Sequence, residues 1–296
     1  MQECNLCPRR CGVPRTAQAG YGVCGMGEDP VVARAAPHFW EEPCISGQYG
    51  SGTIFFSGCT LRCAYCQNGL ISHQRQGRSL TVSQLADVMR ALEDEGVHNI
   101  NFVTPTHFTP AILEALELYR PALPLVWNTS GYETPETLKL LDGVIDIYLP
   151  DFKHYSPRMG QLCAKAPDYF EAASQALVEM CRQTGAPRYN EEGMMLKGTL
   201  VRHLILPGLT GESMRLLTWI ADHLPEGTPV SLMRQYTPLN GVAIPGLDRR
   251  ITEKEYRRVR DHMLMLNLPG YEQEALAADA AYVPPFNEEG GILGIP

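Results

Sequence analysis

The chain has 296 residues, with 25 lysines and arginines against 33 aspartates and glutamates, which gives a formal net charge of -8 at pH 7. It contains no basic block or stripe of the kind that follows a phosphate backbone, so we expect no nucleic-acid partner. It starts with polar residues and a cysteine and has no apolar run near the roughly 18 residues that span a bilayer, so we expect neither a secretory signal nor a membrane segment.

Ten cysteines occur in the chain. Because no export signal accompanies them, we interpret them as metal or redox residues in a reducing cytosol rather than as a disulfide framework. The composition therefore predicts a cytoplasmic protein that uses thiols chemically.

The first 24 residues carry four of these thiols among glycines and prolines, namely Cys4, Cys7, Cys11 and Cys24. Close thiol pairs separated by a turn-rich loop of about a dozen residues are typical of a closed four-thiolate site for zinc or iron. The same thiols could hold an electron-transfer iron-sulfur cluster, or stay reduced and unligated. The pattern predicts a Cys-rich N-terminal extension over residues 1–50 with a four-cysteine metal site, and it leaves the metal open.

A second group of cysteines follows the apolar run at residues 53–56, on a loop that leaves the first predicted strand. Cys59, Cys63 and Cys66 are spaced four and three residues apart. Three thiolates so close in sequence can hold three corners of a cubane iron-sulfur cluster, whose four irons normally take four cysteines. The fourth iron would then be open to a substrate, as in catalytic metal sites. A structural zinc loop is the alternative.

From residue 53 onward, apolar β-branched runs alternate with amphipathic helical patterns. We predict six strands, at residues 54–56, 99–103, 125–128, 144–149, 200–206 and 229–233. We predict six helices, at residues 81–96, 110–120, 135–141, 169–184, 212–223 and 252–266. Six strand-helix repeats imply a parallel sheet with right-handed crossovers, whereas eight would close a barrel. The tail after residue 268 has too little periodicity for another repeat, and we expect it to pack across the barrel or over its mouth.

The cysteine loop resembles the signature of the radical S-adenosylmethionine (SAM) superfamily, with Tyr65 in the aromatic position before the third cysteine. The resemblance implies an α/β fold, a partial (βα)6 TIM barrel over residues 51–266, followed by a C-terminal extension, residues 267–296. It also implies a 4Fe-4S cluster on the three loop cysteines that binds SAM at its open iron. Reductive cleavage of SAM would then give a 5'-deoxyadenosyl radical that abstracts hydrogen from a substrate. Because an exposed cluster is labile, an oxygen-poor setting is expected.

Ligands of parallel β/α folds bind at the carboxyl ends of the strands, so the residues there test the resemblance. After the fourth predicted strand, Asp151-Phe152-Lys153 resembles the Asp-x-Lys of the pyruvate formate-lyase activating enzyme and its relatives. The resemblance implies that Lys153 acts in catalysis by pairing with the methionine carboxylate, a charge-assisted contact that orients the cofactor. A surface ion pair between Asp151 and Lys153 is the alternative.

The resemblance and the strand-end positions together assign nine residues to SAM binding: Tyr65, Thr104, Thr106, Asn128, Ser130, Asp151, Lys153, Gly208 and Tyr236. Thr104 and Thr106 stand where the family usually carries Gly-Gly-Glu, so the charge of that glutamate is absent. Tyr236 matches the tyrosine of the family's tyrosine-histidine pair, but Thr237 stands in place of the histidine.

Three further side chains near the strand ends keep two interpretations each. His107 is either a polar pocket residue near substrate or a histidine satisfied by neighbouring backbone. Arg202 and Arg234 either face one cavity from neighbouring strands or point outward, because successive strand residues alternate in direction.

The resemblance is closest to the activating-enzyme branch of the superfamily, which implies activation of a glycyl-radical enzyme and hence a protein substrate. An electron donor such as flavodoxin or ferredoxin is then expected as a partner beside SAM. One alternative is a radical SAM enzyme that modifies a small molecule or another protein residue. The other is a non-catalytic iron-sulfur electron carrier that does not turn over SAM.

Overall fold

The computed structural model describes residues 3–16, 20–238, 242, 244–273, 286 and 291–295. Within them the main sheet has eight strands in the order β3-β1-β2-β4-β5-β6-β8-β7. These strands are β1 (Val31–His38), β2 (Ser51–Phe56), β3 (Arg78–Ser79), β4 (Ile100–Val103), β5 (Leu125–Thr129), β6 (Ile147–Pro150), β7 (Arg188–Tyr189) and β8 (Met195–Thr199). A second sheet in the order β11-β10-β9 contains β9 (Val201–Leu204), β10 (Val230–Met233) and β11 (Gly270–Glu272).

The middle of the main sheet is parallel. Strands β2, β4, β5, β6 and β8 pair in that order, each parallel to the next, so their carboxyl ends meet at one edge. The outer strands β3, β1 and β7 are antiparallel to their neighbours. The predicted α/β fold with an open parallel sheet is confirmed, and in the part of the chain that the structure describes this sheet does not close into a barrel.

Helices follow the parallel strands. They are α1 (Pro43–Ser46), α2 (Gly69–Ser72), α3 (Val82–Asp94), α4 (Thr109–Leu118), α5 (Pro135–Leu140), α6 (Pro157–Ala164), α7 (Tyr169–Thr184), α8 (Thr210–His223) and α9 (Glu253–Met265). Helices α3 and α9 begin at Thr81 and Thr252, whose hydroxyls cap the third backbone N–H while a Gln or Glu side chain returns the bond. Among the described residues, no helix combines the length and apolar character that crossing a membrane requires.

The predicted fifth strand, residues 200–206, corresponds to β9, and an unpredicted strand, β8, lies directly before it. Strand β8 pairs with β6, whereas β9 pairs with β10. The switch occurs at Leu200, where the Leu200 N–H donates to the carbonyl of Tyr148 (2.9 Å) and the next N–H, of Val201, donates to the carbonyl of Pro229 (3.0 Å). A parallel bridge between Asp151 and Arg202 joins the two sheets just beyond this point.

Five strands lie where the sequence analysis predicted none, namely β1, β3, β7, β8 and β11. Strand β1 pairs with β2 inside the segment that we assigned to the N-terminal extension. Strand β11 lies in the tail and extends the second sheet beside β10. Farther along the tail, Ile292 forms a bridge with Ala35 of β1. The rest of the predicted tail placement falls on residues 274–285 and 287–290, outside the described residues.

Candidate active site

A cavity of about 490 Å³ opens at the carboxyl ends of the parallel strands. Its volume is within the range usual for small-molecule sites. Ten of the predicted site residues line it: Cys59, Cys63, Tyr65, Cys66, Thr104, Asn128, Ser130, Asp151, Lys153 and Tyr236. The fold therefore brings together residues spread over almost 180 positions of sequence, because parallel strands present their ends at one edge.

The three loop cysteines all reach this cavity from the segment after β2. The N–H of Leu61 donates to Sγ of Cys59 (3.4 Å), and the hydroxyl of Ser72 donates to Sγ of Cys66 (3.3 Å). Hydrogen bonds to sulfur are among the features that set the potential of an iron-sulfur cluster. Burial raises the pKa of the Cys63 thiol, which nearby Lys153 partly opposes. Because the thiolate is the form that binds metal, the cysteines would release their protons when a cluster binds.

This donor set suits a cubane. Over the described residues, no three His, Cys, Asp or Glu side chains converge on a point that could hold a single metal ion. Each thiolate of a cubane binds a different iron, and three cysteines leave one iron without a protein ligand. Three thiols that line one cavity thus fit a 4Fe-4S cluster in kind and number.

A buried charge network lies in the same cavity. The Asp151 carboxylate accepts from Nζ of Lys153 (2.6 Å) and from Nε of Arg202 (3.0 Å). Arg202 also donates to Oε2 of Glu41 (2.9 Å) and to Oδ1 of Asn128 (2.5 Å). Burial would raise the pKa of Asp151, but the two cations outweigh it and hold that pKa below its ordinary value. Asp151 and Lys153 therefore form an ion pair inside the cavity, rather than on the surface.

Two acidic residues of this network were missed by the sequence analysis. Glu41 and Glu42 lie between β1 and α1 and line the cavity. Burial raises the pKa of each carboxyl group, and Arg202 opposes that rise. Neither residue follows a predicted strand, so the rule that searches strand ends could not find them. Arg202 faces the cavity, which decides between its two interpretations.

Aromatic side chains form part of the cavity wall beside the cysteine loop. The hydroxyl of Tyr65 lies 3.2 Å from Nε2 of His154, and the Tyr65 ring packs edge-on against Tyr236. The hydroxyl of Tyr236 donates to the carbonyl of Leu247 (2.6 Å). Burial lowers the pKa of His154 to about 3, so its ring is neutral near pH 7. These contacts hold the position of Tyr65 from two sides.

Thr104 has an unusual backbone. Its φ of 58° lies in the left-handed region, which β-branched residues rarely adopt. The Thr104 N–H donates to the carbonyl of Asn128 (2.9 Å), which fixes this conformation at the end of β4. Strained backbone of this kind concentrates at functional sites.

Other predicted residues lie outside the cavity lining. The hydroxyl of Thr106 donates to Glu133 (2.6 Å) in the interior, and the exposed Gly208 donates its N–H to Glu255 (2.7 Å). His107 is buried with Nε2 at 2.8 Å from the carbonyl of Ser57, which favours the backbone-satisfied interpretation.

Arg234 points away from the cavity, which is the second of its two interpretations. Its guanidinium pairs with Glu253 (2.8 Å) and lies over the ring of Tyr256. Both partners belong to α9, and Arg234 does not line the cavity. The alternation of strand residues therefore separates it from Arg202.

The N-terminal cysteines lie close to the cysteine loop. Cys7 is buried, and Cys4, Cys11 and Cys24 are partly buried. Arg9, between the second and third of them, donates from its guanidinium to four backbone carbonyls, those of Thr60, Leu61, Ala164 and Lys165. Through Arg9, the N-terminal segment is therefore hydrogen-bonded to the loop that carries Cys59 and Cys63.

Comparisons with known proteins agree on the family. A family model described as the Radical SAM superfamily matches residues 53–220, more than half of the chain. The uncharacterized protein MJ0674 of Methanocaldococcus jannaschii is 28% identical over 278 residues, which covers 90% of this chain and 76% of that protein.

Two solved structures share the fold. HydG, a maturase of the FeFe-hydrogenase, is 17% identical with a TM-score of 0.52, over 81% of this chain and 56% of its own. A radical SAM methyltransferase from Sphaerobacter thermophilus is 13% identical with a TM-score of 0.50, over 75% of this chain and 66% of its own. This chain thus spans less than two thirds of each of those proteins, and the likeness concerns the fold.

Proposed function

Because the chain belongs to the radical SAM superfamily, we propose that it is an enzyme that cleaves SAM and abstracts hydrogen from a protein glycine, as an activating enzyme of a glycyl-radical protein. The observation that supports this most is the meeting of three loop thiols with the Asp151–Lys153 ion pair in one cavity. A 4Fe-4S cluster with SAM bound supplies reductive cleavage of the sulfonium and hydrogen abstraction.

The chain's own residues have defined tasks in this proposal. Cys59, Cys63 and Cys66 hold the cluster. Lys153 presents an ammonium to the methionine carboxylate, and Asp151 fixes the direction of that ammonium through its 2.6 Å bond. The network around Arg202 keeps Asp151 ionised, since the pKa of Asp151 lies below its ordinary value.

The remaining lining residues position and enclose the ligand. The backbone and hydroxyl of Thr104, with Asn128 and Ser130, offer hydrogen-bonding groups at neighbouring strand ends. Tyr65 and Tyr236 form an apolar wall with their polar tips already bonded. Enclosure limits the approach of water and fixes which substrate carbon lies in contact with the reacting group.

The choice of a protein substrate rests on the opening of the cavity. Phe39 and Trp40 line it and are 51% and 61% exposed. They follow His38, which pairs with Ser51, so they give the cavity an apolar rim near the amino end of β2, of the kind that contacts a protein segment. A one-electron carrier such as flavodoxin or ferredoxin would supply the electron. The replaced Gly-Gly-Glu and the threonine after Tyr236 are departures from the activating-enzyme pattern, so modification of a small molecule or of another protein residue is the second candidate.

The N-terminal four-cysteine site is a further proposal. Cys4, Cys7, Cys11 and Cys24 would hold zinc or a second iron-sulfur cluster in an extension over residues 1–50. Their support is their number, their burial and the attachment of the segment to the cysteine loop through Arg9.

The test is anaerobic reconstitution with iron and sulfide, followed by reduction in the presence of SAM and assay for 5'-deoxyadenosine. Formation of that product is expected, and its absence from a preparation with full iron content would leave only the electron-carrier alternative. Electron paramagnetic resonance of a candidate glycyl-radical partner should then show the doublet of a glycine-centred radical. A turnover assay that gives product but no such doublet would favour the second candidate.

A further inference from the structure

The acidic pair Glu41–Glu42 lies in the cavity but has no task in the proposed SAM chemistry. Both residues belong to the segment between β1 and α1, which starts beside the amino end of β2, whereas the cysteine loop follows the carboxyl end of β2. The Glu41 side chain is 9% exposed, and Glu42 is 8% exposed as a residue. Two adjacent carboxyl groups buried to this degree are costly unless something compensates them.

The two carboxylates are compensated unequally. Glu41 accepts from Arg202 (2.9 Å) and from Nδ2 of Asn128 (3.0 Å), so both of its oxygens have partners. The hydroxyl of Ser231 and the backbone N–H of Glu42 itself partly oppose the rise that burial causes in the pKa of Glu42. Its Oε2 is buried and has no hydrogen-bond partner among the described residues. The unsatisfied acceptor of the pair is therefore on Glu42.

The described residues that line the cavity include more acids than bases. The carboxylates are Glu41, Glu42, Asp151 and Glu272, and the cations are Lys153 and Arg202. Asp151 engages both cations, and Glu41 shares Arg202. The lining histidine, His38, adds no charge near pH 7, since burial lowers its pKa to about 4. Neither of these two cations forms an ion pair with Glu42, whereas both do so with other carboxylates of the lining.

Aromatic rings line the same cavity. Phe39 and Trp40 immediately precede the acidic pair in sequence, and Tyr271 of β11 also belongs to the lining. Aromatic faces attract ammonium and guanidinium groups, and the attraction grows when water is excluded. Carboxylates combined with aromatic rings are the usual surroundings of a bound organic cation.

We propose that Glu42, with Glu41 and these rings, forms a subsite for a cationic group of the substrate, an ammonium or a guanidinium. The inference rests on the proposed function in that it places the cation on the molecule that donates the hydrogen atom. In a protein substrate this group would be a lysine or arginine side chain close to the reacting carbon.

The probes are side-chain analogues with the same number of carbons: n-butylammonium for lysine, 1-butanol as its neutral counterpart and butanoate as its anionic one. Binding is measured by ligand-observed NMR on the reconstituted protein with saturating SAM. We expect n-butylammonium to bind, and the alcohol and the carboxylate to bind at least about tenfold more weakly. Equal binding of the three probes, or displacement of SAM by n-butylammonium, would overturn the proposal.

Variants locate the site. Glu42→Gln keeps the size of the side chain and removes its charge, and should weaken n-butylammonium binding about tenfold or more. Glu191→Gln, which makes the same change at an exposed position outside the cavity, should leave the affinity unchanged. If Glu42→Gln does not fold, Ser231→Ala replaces it in the test. This change removes the hydroxyl that interacts with the Glu42 carboxyl group. It should alter the affinity for the cation but not for the alcohol. Unchanged affinity in a folded variant at either position would refute the assignment.

The proposed function can fail separately. Binding of n-butylammonium with no formation of 5'-deoxyadenosine would keep the cation subsite and reject SAM cleavage. Formation of 5'-deoxyadenosine without cation binding would do the reverse.

Discussion

Replacing Arg202 with methionine removes the only residue that joins Asp151, Glu41 and Asn128 within the described cavity network. The Arg202 side chain is 14% exposed, and its two carboxylate partners are 16% and 9% exposed. Removing one partner of a buried ion pair leaves the other charge uncompensated, at a cost of about 3–5 kcal/mol. We therefore expect the free energy of unfolding of Arg202→Met to fall by about that amount near pH 7.5.

The loss should depend on pH. In the wild type, Arg202 and Lys153 hold the pKa of Asp151 low, so these ion pairs stabilise the fold above the unfolded pKa of the carboxyl group and lose that effect as pH falls. Without Arg202 the pKa of Asp151 rises, and the already raised pKa values of Glu41 and Glu42 rise further. The folded variant then binds protons that the unfolded chain does not, so its deficit should be largest near pH 7.5 and shrink toward about pH 5.

The measurement is urea unfolding of wild type and variant under reducing, anaerobic conditions, followed by circular dichroism at several pH values. Arg182→Met is the matched control, since Arg182 also has two acidic partners but is 57% exposed, and it should hardly change the midpoint. Adding Glu41→Gln to Arg202→Met should recover part of the loss, because one buried charge disappears. A deficit below about 1 kcal/mol, or one equal at all pH values, would refute the electrostatic reasoning.

Three further substitutions test the site. Cys63→Ala should lower bound iron by about one cubane's worth and abolish 5'-deoxyadenosine formation. The control Cys181→Ala in α7 should do neither, and retained cleavage of SAM in Cys63→Ala would disprove the ligand assignment. Cys7→Ala should leave cleavage of SAM measurable if the N-terminal site is structural, and iron analysis should show a loss of about one more cubane if it is a second cluster. Thr104→Asn should raise the free energy of unfolding by about 1 kcal/mol in urea titrations, because asparagine tolerates a φ near 58° better than a β-branched residue; a destabilised variant would contradict the strain.

Much of the central sheet and half of the candidate site could be predicted from periodicity. Runs such as residues 99–103 and 125–128 are apolar and bounded by helical patterns, and they form β4 and β5 within one residue of the expected limits. Once the strands are parallel, residues directly after them must share one edge. That rule predicted that Thr104, Asn128 and Lys153 lie together, and all three line the cavity.

The acidic half of the site follows no such rule. Glu41 and Glu42 reach the cavity because β1 runs antiparallel to β2. Its last residue, His38, pairs with Ser51, so the next segment enters the cavity from the amino end of β2, opposite the end that carries the cysteine loop. The sequence of residues 31–38 predicts a strand only weakly, because its apolar and polar residues do not alternate regularly. Only Val32 and Ala35 of β1 are fully buried. A local pattern therefore could not place these carboxylates beside Arg202.

The change of pairing partner between β8 and β9 explains why Arg202 contacts residues of both sheets. Had residues 195–204 formed one uninterrupted strand beside β6, Arg202 would continue a ladder with β6 and its neighbours alone. The switch of partner at Leu200 instead gives β9 to β10, while the Asp151–Arg202 bridge keeps the start of β9 at the end of β6. Arg202 thus lies where the two sheets part, and its guanidinium spans the gap to Asp151, Asn128 and Glu41. The charge network therefore follows from this junction: the residue that bridges the two sheets places its guanidinium within reach of three side chains.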